Sequence, residues 1–198
     1  MNAMELFTQV YGLTDPRLLA DLQELAEVRR MARGTVFLRA GHVQTQVFLL
    51  LSGLARGYFV DVDGGDHTDC FCFRCGTPVM PPCALDEPSP ENLVTLTDCD
   101  FVVMPLQETM GLVHEHPELT ELYARFLTDA MRLHNHTRHV ICGLPARQRF
   151  EWFLEEYPGL IFDVNNRHIA SFLNMTPETL SRMKTALRKA KHADWQEA

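Results

Sequence analysis

The sequence predicts an α+β protein in three parts: a β-rich N-terminal roll, one long helix, and a small helical domain at the C-terminus. Three observations carry that reading. Short β-branched and aromatic runs, divided by Gly, Asp and Pro, fill the stretch from Arg33 to about Leu106. An apolar 3,4 spacing then runs from Tyr123 to Leu144 with no proline in it. Finally, residues 165–192 hold six basic residues and one acid, Glu178, in a 198-residue chain whose formal net charge is −8.

The first part opens with PRLLADLQELAEVRR (residues 16–30), where apolar residues recur at helical spacing. The runs GTVFLRAG, QVFLLLSGLARGYFVDV, HTDCFCFR and NLVTLTDCDFVVMP follow and read as strands. DVDGGDH, from Asp61 to His67, is a hairpin turn signal. Strands this short and this closely spaced predict a β-sandwich or roll. Apolar residues make up 46% of the chain, ample for a packed core. No apolar run approaches the ~20 residues of a membrane span. The opening MNAMELFTQVYG has no basic segment followed by an apolar one, so no signal peptide is expected and the protein is expected to be cytoplasmic.

The second part begins at Pro117. Tyr123, Phe126, Ala130, Leu133, Thr137, Val140 and Leu144 form a heptad-like seam. It reads either as one buried face of a long helix or as a homodimer interface. The expectation adopted is a dimer interface made by the first six of these residues, with Ala130 and Thr137 as its weak points. The third part gives a helix (Pro145–Tyr157), a short extended piece (Leu160–Val164) and two further helices. Residues 144–198 carry eight basic and seven acidic residues, a net of +1, which leaves −9 on residues 1–143. Such a chain meets DNA through a restricted face.

The last two helices read as a helix-turn-helix. Asn165 is a natural N-cap for RHIASFL. Ile169 and Leu173 face inward, and the small Ala170 lets a second helix approach. Asn174 suits a left-handed turn, and Met175 plugs the angle. Thr176 caps the second helix, Pro177 takes its first position, and Glu178 lies in the first turn. Leu180, Met183 and Leu187 form the inner face. Thr179, Ser181, Arg182, Lys184 and Thr185 lie off it, available to a partner.

The segment IASFLNMTPETLSRMKTALRK closely resembles the recognition segment of the Crp/Fnr family of bacterial transcription regulators. VFLLLSGLARGYFVDVDGGDHTDCFCF is similar to the roll of that family's sensor domain, and LPARQRFEWFLEEYPGLI to its first DNA-domain helix; about 160 residues are covered. The resemblance implies a cyclic-nucleotide-binding-like jelly roll over residues 1–116, a dimerisation helix over 117–144 and a winged-helix/helix-turn-helix domain over 145–198. It implies a homodimer, a double-stranded DNA operator, RNA polymerase as a partner and an unidentified small-molecule effector in the roll. By position, Glu178 and Arg182 match the family's base-reading residues, with Thr176, Thr179 and Ser181 beside them. Arg can bond a guanine edge and a carboxylate can accept from cytosine. Arg167, Lys184 and Arg188 are assigned to phosphate. No hairpin wing is readable in KHADWQEA, so wing contacts are expected to be reduced.

The family's cyclic-nucleotide cassette, Gly-Glu followed by Arg-Ser/Thr-Ala, is degenerate here. Gly76 remains, but Thr77-Pro78 and Glu91-Asn92-Leu93 stand near the cassette positions, and a carboxylate repels a phosphate. Arg56 and Arg74 are the nearest arginines in sequence. CFCFRC allows a metal or redox role for Cys70, Cys72 and Cys75, with Cys83 or a histidine as fourth ligand; plain core cysteines and no cofactor are the expectation. His134, His136 and His139 are read as solvated helix residues, with haem or metal ligation left open. No paired carboxylates, nucleophile elbow, phosphate loop or metal-hydrolase motif is present, so no enzyme is expected. The alternative function is a small-molecule or redox-sensing module whose DNA domain has lost operator recognition.

Overall fold

In the computed structural model, which describes residues 1–194 and side chains through residue 187, the β-rich part folds as two facing antiparallel sheets. A capping box at Asn2 and Glu5 starts α1 (Ala3–Glu5), which runs on as a π-helical turn over Leu6–Val10. Helix α2 (Pro16–Leu25) is capped by Asp15 and carries Pro16 at its first position. The strands are β1 (Glu27–Met31), β2 (Val36–Leu38), β3 (Gln46–Ser52), β4 (Ala55–Val60), β5 (Asp66–Cys72), β6 (Asn92–Thr95) and β7 (Cys99–Pro105). Their orders are β1-β7-β3 and β2-β6-β4-β5.

Phe48, Leu50, Phe101 and Val103 of the first sheet meet Leu38, Ala55, Cys72 and Leu93 of the second, forming the sandwich core. On the other face of the first sheet, Leu49, Leu51, Val102 and Met104 are covered by Leu6, Phe7, Leu18 and Leu22. This explains the unbroken apolar runs of β3 and β7: a strand buried on both faces cannot alternate with polar residues.

Helix α3 (Leu106–Glu115) leads into α4 (Pro117–Gly143), whose Glu118 carboxylate accepts hydrogen bonds from the backbone N–H groups of Thr14 and Asp15. The C-terminal domain holds α5 (Ala146–Glu156), α6 (Leu160–Asp163), α7 (Asn166–Phe172) and α8 (Pro177–Asp194). Phe150, Phe153, Tyr157, Ile169, Phe172, Leu173 and Leu180 form its core, and Leu54 and Phe71 of the roll join it.

One expectation is corrected here. LIFDV was read as extended, but Leu160–Asp163 is a helical turn entered through Gly159 at φ 88°. Leu160 and Ile161 are buried in the domain core, and that packing overrides their β propensity. No strand follows β7 among the described residues, so they include a helix-turn-helix without a wing.

Candidate nucleic-acid interface and effector region

The helix-turn-helix is assembled by local chemistry. The Asn165 Oδ1 accepts the Arg167 N–H at 3.0 Å and starts α7. Ala170 is fully buried, and its carbonyl accepts the Met175 N–H at 2.9 Å across the turn. Asn174, at φ 49°, is the one non-glycine residue with positive φ among the described residues. The Thr176 Oγ1 accepts the Thr179 N–H at 3.2 Å and starts α8. Leu180 is fully buried, with Met183 and Leu187 packed beside it.

The outer edge of α8 presents Thr176, Glu178, Ser181 and Arg182, all exposed, and Arg167 is exposed at the start of α7. Thr179 is half-buried; its Oγ1 pairs with Thr176 Oγ1 at 3.1 Å and accepts from Arg182 Nη2 at 3.3 Å. The Glu178 carboxyl is held below its usual range by its own backbone N–H and by the Thr176 hydroxyl. Lys184 differs from its expected role. Its Nζ donates to the Ile161 carbonyl at 2.8 Å and to Asn166 Oδ1 at 2.9 Å, so it ties α8 to α6 and α7. Arg188 lies outside the described side chains.

The seam on α4 is also corrected. Tyr123 and Phe126 pack into the chain's own N-terminal core, where the Phe126 ring meets Tyr11 edge-on at 5.3 Å. Val140 is buried within the chain, and Thr137 is half-buried. Of the six residues, only Ala130 and Leu133 are exposed. The apolar surface open to a partner is displaced by one residue, to Leu127 and Met131, while the exposed Leu133 lies on the Ala130 side of the helix. Two apolar faces share this helix, and spacing alone does not tell which one the roll takes.

In the effector region, Gly76 sits at φ 82° beneath the first helical segment, and the Tyr11 hydroxyl donates to its carbonyl at 2.8 Å. A Cβ at Gly76 would approach Val10 to 3.0 Å. Thr77 and Val79 run along β3, bonding Leu50 and Phe48. Arg56 is 2% exposed: it pairs with Asp66, its Nε donates to Thr68 Oγ1 at 2.8 Å, and it lies 4.5 Å over the Tyr58 ring. Arg74 pairs with Glu156 at 3.1 Å. Both arginines near the degenerate cassette therefore have internal partners. Glu91 is buried, and burial together with the nearby Asp69 pushes its carboxyl up to about 8.

All six thiols are unpaired as disulfides. Cys70 and Cys72 share the inward face of β5 while Phe71 points to the C-terminal domain. Cys75 is exposed beyond the strand. The groups that do converge are Asp69, Cys70 and Glu91. Sequence reasoning missed this set because two of its members are not cysteines. His134 and His139 are exposed, and the His136 Nε2 accepts from Trp152 Nε1 at 3.1 Å, joining α4 to α5.

The roll and the helix-turn-helix meet along β5, an edge strand. The Ser171 Oγ accepts the Thr68 N–H at 2.8 Å and donates to the Asp66 carbonyl at 3.1 Å. The Thr68 Oγ1 donates to the His168 carbonyl at 3.0 Å. Phe71, Trp152, Tyr157 and Phe172 stack beside these bonds. Thus α7, the first helix of the helix-turn-helix, caps the open edge of the second sheet.

A β-roll, a long helix and an outward-facing helix-turn-helix follow one another in that order along the chain. The particular fold is that of the Crp/Fnr transcription regulators. FixK2 from Bradyrhizobium japonicum superposes with a TM-score of 0.74 at 15% identity, over 84% of this chain and 86% of its own. CLP from Xanthomonas campestris, a c-di-GMP responsive global regulator, gives 0.70 at 15% identity over 89% and 93%. A regulator from Eubacterium rectale assigned to the Crp/Fnr family gives 0.62 at 16% identity over 89% and 85%. No protein-family model and no curated protein matches the sequence. Among the described residues, no helix is long and apolar enough to cross a membrane.

Proposed function

We propose that the chain is a homodimeric, sequence-specific DNA-binding transcription regulator of the Crp/Fnr type, tuned by an effector bound in its roll. One observation carries this reading: a correctly capped α8 holds Glu178, Ser181 and Arg182 outward on an edge left exposed by the described residues. Arg182 offers a guanidinium fork to guanine, and Glu178 an ionised acceptor to cytosine. Arg167, at the α7 start, serves the phosphate backbone. Leu127 and Met131 supply the apolar face for a second copy, which sets two recognition helices against a near-palindromic operator. RNA polymerase is the partner such a regulator works through. The effector is not a cyclic nucleotide held by the family's cassette, because the cassette glutamate and arginine are absent and Arg56 and Arg74 are engaged elsewhere. CLP, described as c-di-GMP responsive, supports a wider effector range for this fold.

The test is a mobility shift against operators selected from random duplex DNA, repeated on single-base variants at several salt concentrations. Arg182→Ala is expected to cost about 1–3 kcal/mol on the selected site and to relax preference at one base pair per half-site. Lys184→Ala is expected to lower the melting temperature of the C-terminal domain and leave the salt slope unchanged, since its head is already bonded inside the domain. Failure to select any sequence overturns the reading, and leaves a sensor module with a silent DNA domain.

A further inference from the structure

We propose that Asp69, Cys70 and Glu91 form a binding site for one divalent transition-metal ion of borderline softness, with Zn²⁺ as the reference ion.

Asp69 and Cys70 are neighbours in β5, and neighbours in a regular strand point to opposite faces. Here the strand is not regular. The β4–β5 register slips between the pairs Gly57↔Cys70 and Tyr58↔Thr68, leaving Asp69 as the extra residue of a β-bulge. A bulge re-aims a side chain, and it lets two adjacent residues reach a common point. Glu91 arrives from the turn that enters β6. One carboxylate oxygen of Asp69, the Cys70 Sγ and one carboxylate oxygen of Glu91 all lie within 4.8 Å of one another.

Two further observations point to a ligand. Glu91 is 3% exposed, yet its Oε1 has no hydrogen-bond partner. Gly57, opposite Cys70, leaves the space in front of these atoms open: a Cβ there would lie 2.9 Å from Cys70 Sγ and 3.0 Å from Glu91 Oε1. The thiol and the orphaned oxygen therefore converge on one point over Gly57.

The donor set selects the class of ion. Thiolate argues against Mg²⁺ and Ca²⁺, and two carboxylates argue against Cu⁺. Mixed sulfur and oxygen donors suit Zn²⁺ and its spectroscopic substitute Co²⁺. Tetrahedral bonds of about 2.0 Å to oxygen and 2.3 Å to sulfur require donor separations of about 3.3–3.5 Å, so side-chain adjustments of about 1 Å close the site. Three protein donors leave a fourth position for water. Cys70 binds as thiolate and Glu91 as carboxylate, so uptake of the ion releases the thiol proton and the proton held by Glu91 to solvent and leaves every oxidation state unchanged. The proposal does not rest on DNA binding; its failure and that of the regulator reading are separate outcomes.

The experiment uses the full chain, stripped with a chelator and kept anaerobic, titrated with Co²⁺ and then with Zn²⁺. The expected result is a thiolate-to-cobalt charge-transfer band that saturates at one ion per chain and is bleached by one equivalent of Zn²⁺. Cys70→Ser should abolish the band. The isosteric Glu91→Gln should weaken binding by more than about 100-fold, beyond the 10–100-fold that changes outside the ligand set cost. Gly57→Ala should do the same with all three ligands intact. Cys75→Ser and Cys83→Ser should change neither band nor affinity. Circular dichroism of each variant establishes that it is folded. A folded wild type without a saturable band overturns the site, as does a band that survives Cys70→Ser or is lost on Cys75→Ser.

Discussion

Ser171→Ala should loosen the helix-turn-helix from the sensor roll without unfolding either. The Ser171 hydroxyl makes two bonds across the junction, accepting from the Thr68 N–H and donating to the Asp66 carbonyl. β5 is the outer strand of its sheet, so Thr68 has no further strand to bond. Thr68 is buried, and truncating its partner leaves that amide unpaired, at a cost of about 1–3 kcal/mol. The Asp66 carbonyl belongs to a partly exposed residue and can turn to water. The bonds from Arg56 Nε to Thr68 Oγ1 and from Thr68 Oγ1 to the His168 carbonyl survive, so docking weakens rather than vanishes. The assay is native-state amide exchange. Protection at Thr68 should fall by about 5–150-fold, the equivalent of that energy. Leu50 and Val102, deep in the other sheet, should keep their rates. Ser52→Ala, which removes only an exposed bond to Asp100, is the control and should stay within about 0.5 kcal/mol of wild type. Unchanged exchange at Thr68 would refute the reasoning, as would an equal loss at Leu50 and Val102.

Two other perturbations separate neighbouring roles. Leu127→Glu with Met131→Glu should give folded monomers by light scattering at micromolar concentration, whereas Val140→Glu should destabilise the fold itself, because it places a charge inside the chain; a folded Val140→Glu monomer would restore the original seam. His168 is buried, and burial, with Arg56 and Arg167 nearby, lowers its pKa from 6.5 to about 4, Asp66 opposing. The unfolded chain therefore binds the extra proton first: the contribution of His168 is full above about pH 6.5 and is lost progressively down to about pH 4. Urea melts from pH 4 to 8 should show a smaller pH dependence in that window for His168→Asn than for wild type; parallel curves would place the titration elsewhere.

What the sequence makes legible follows the range of the interactions involved. The helix-turn-helix is written in local terms: Asn165, Asn174, Thr176 and Pro177 each act on backbone within a few residues, and each is found in its expected role. The roll is readable because its strands are short and its turns carry glycine. Lys184 was misread because its partners, Ile161 and Asn166, come from elements whose placement no local pattern specifies. The α4 seam was misplaced by one residue because both faces of that helix are apolar in part. LIFDV has strand-forming residues, and only the packing of Leu160 and Ile161 makes it helical. Asp69 and Glu91 could not be joined in advance, since a bulge at Asp69 leaves no signal in composition or spacing.

The sign of charge in the roll decides between classes of effector. A roll that holds a cyclic phosphate needs an unspent cation beside the anion, because desolvating a phosphate without one is prohibitive. In this chain Arg56 is spent on Asp66 and Thr68, and Arg74 on Glu156. What faces the space over Gly57 is a thiol and a buried carboxyl, with Asp69 added by the bulge. Once the thiol and Glu91 give up their protons, that donor set repels an anion and holds a cation. A divalent ion is the ligand that such donors, converging on one point, can hold.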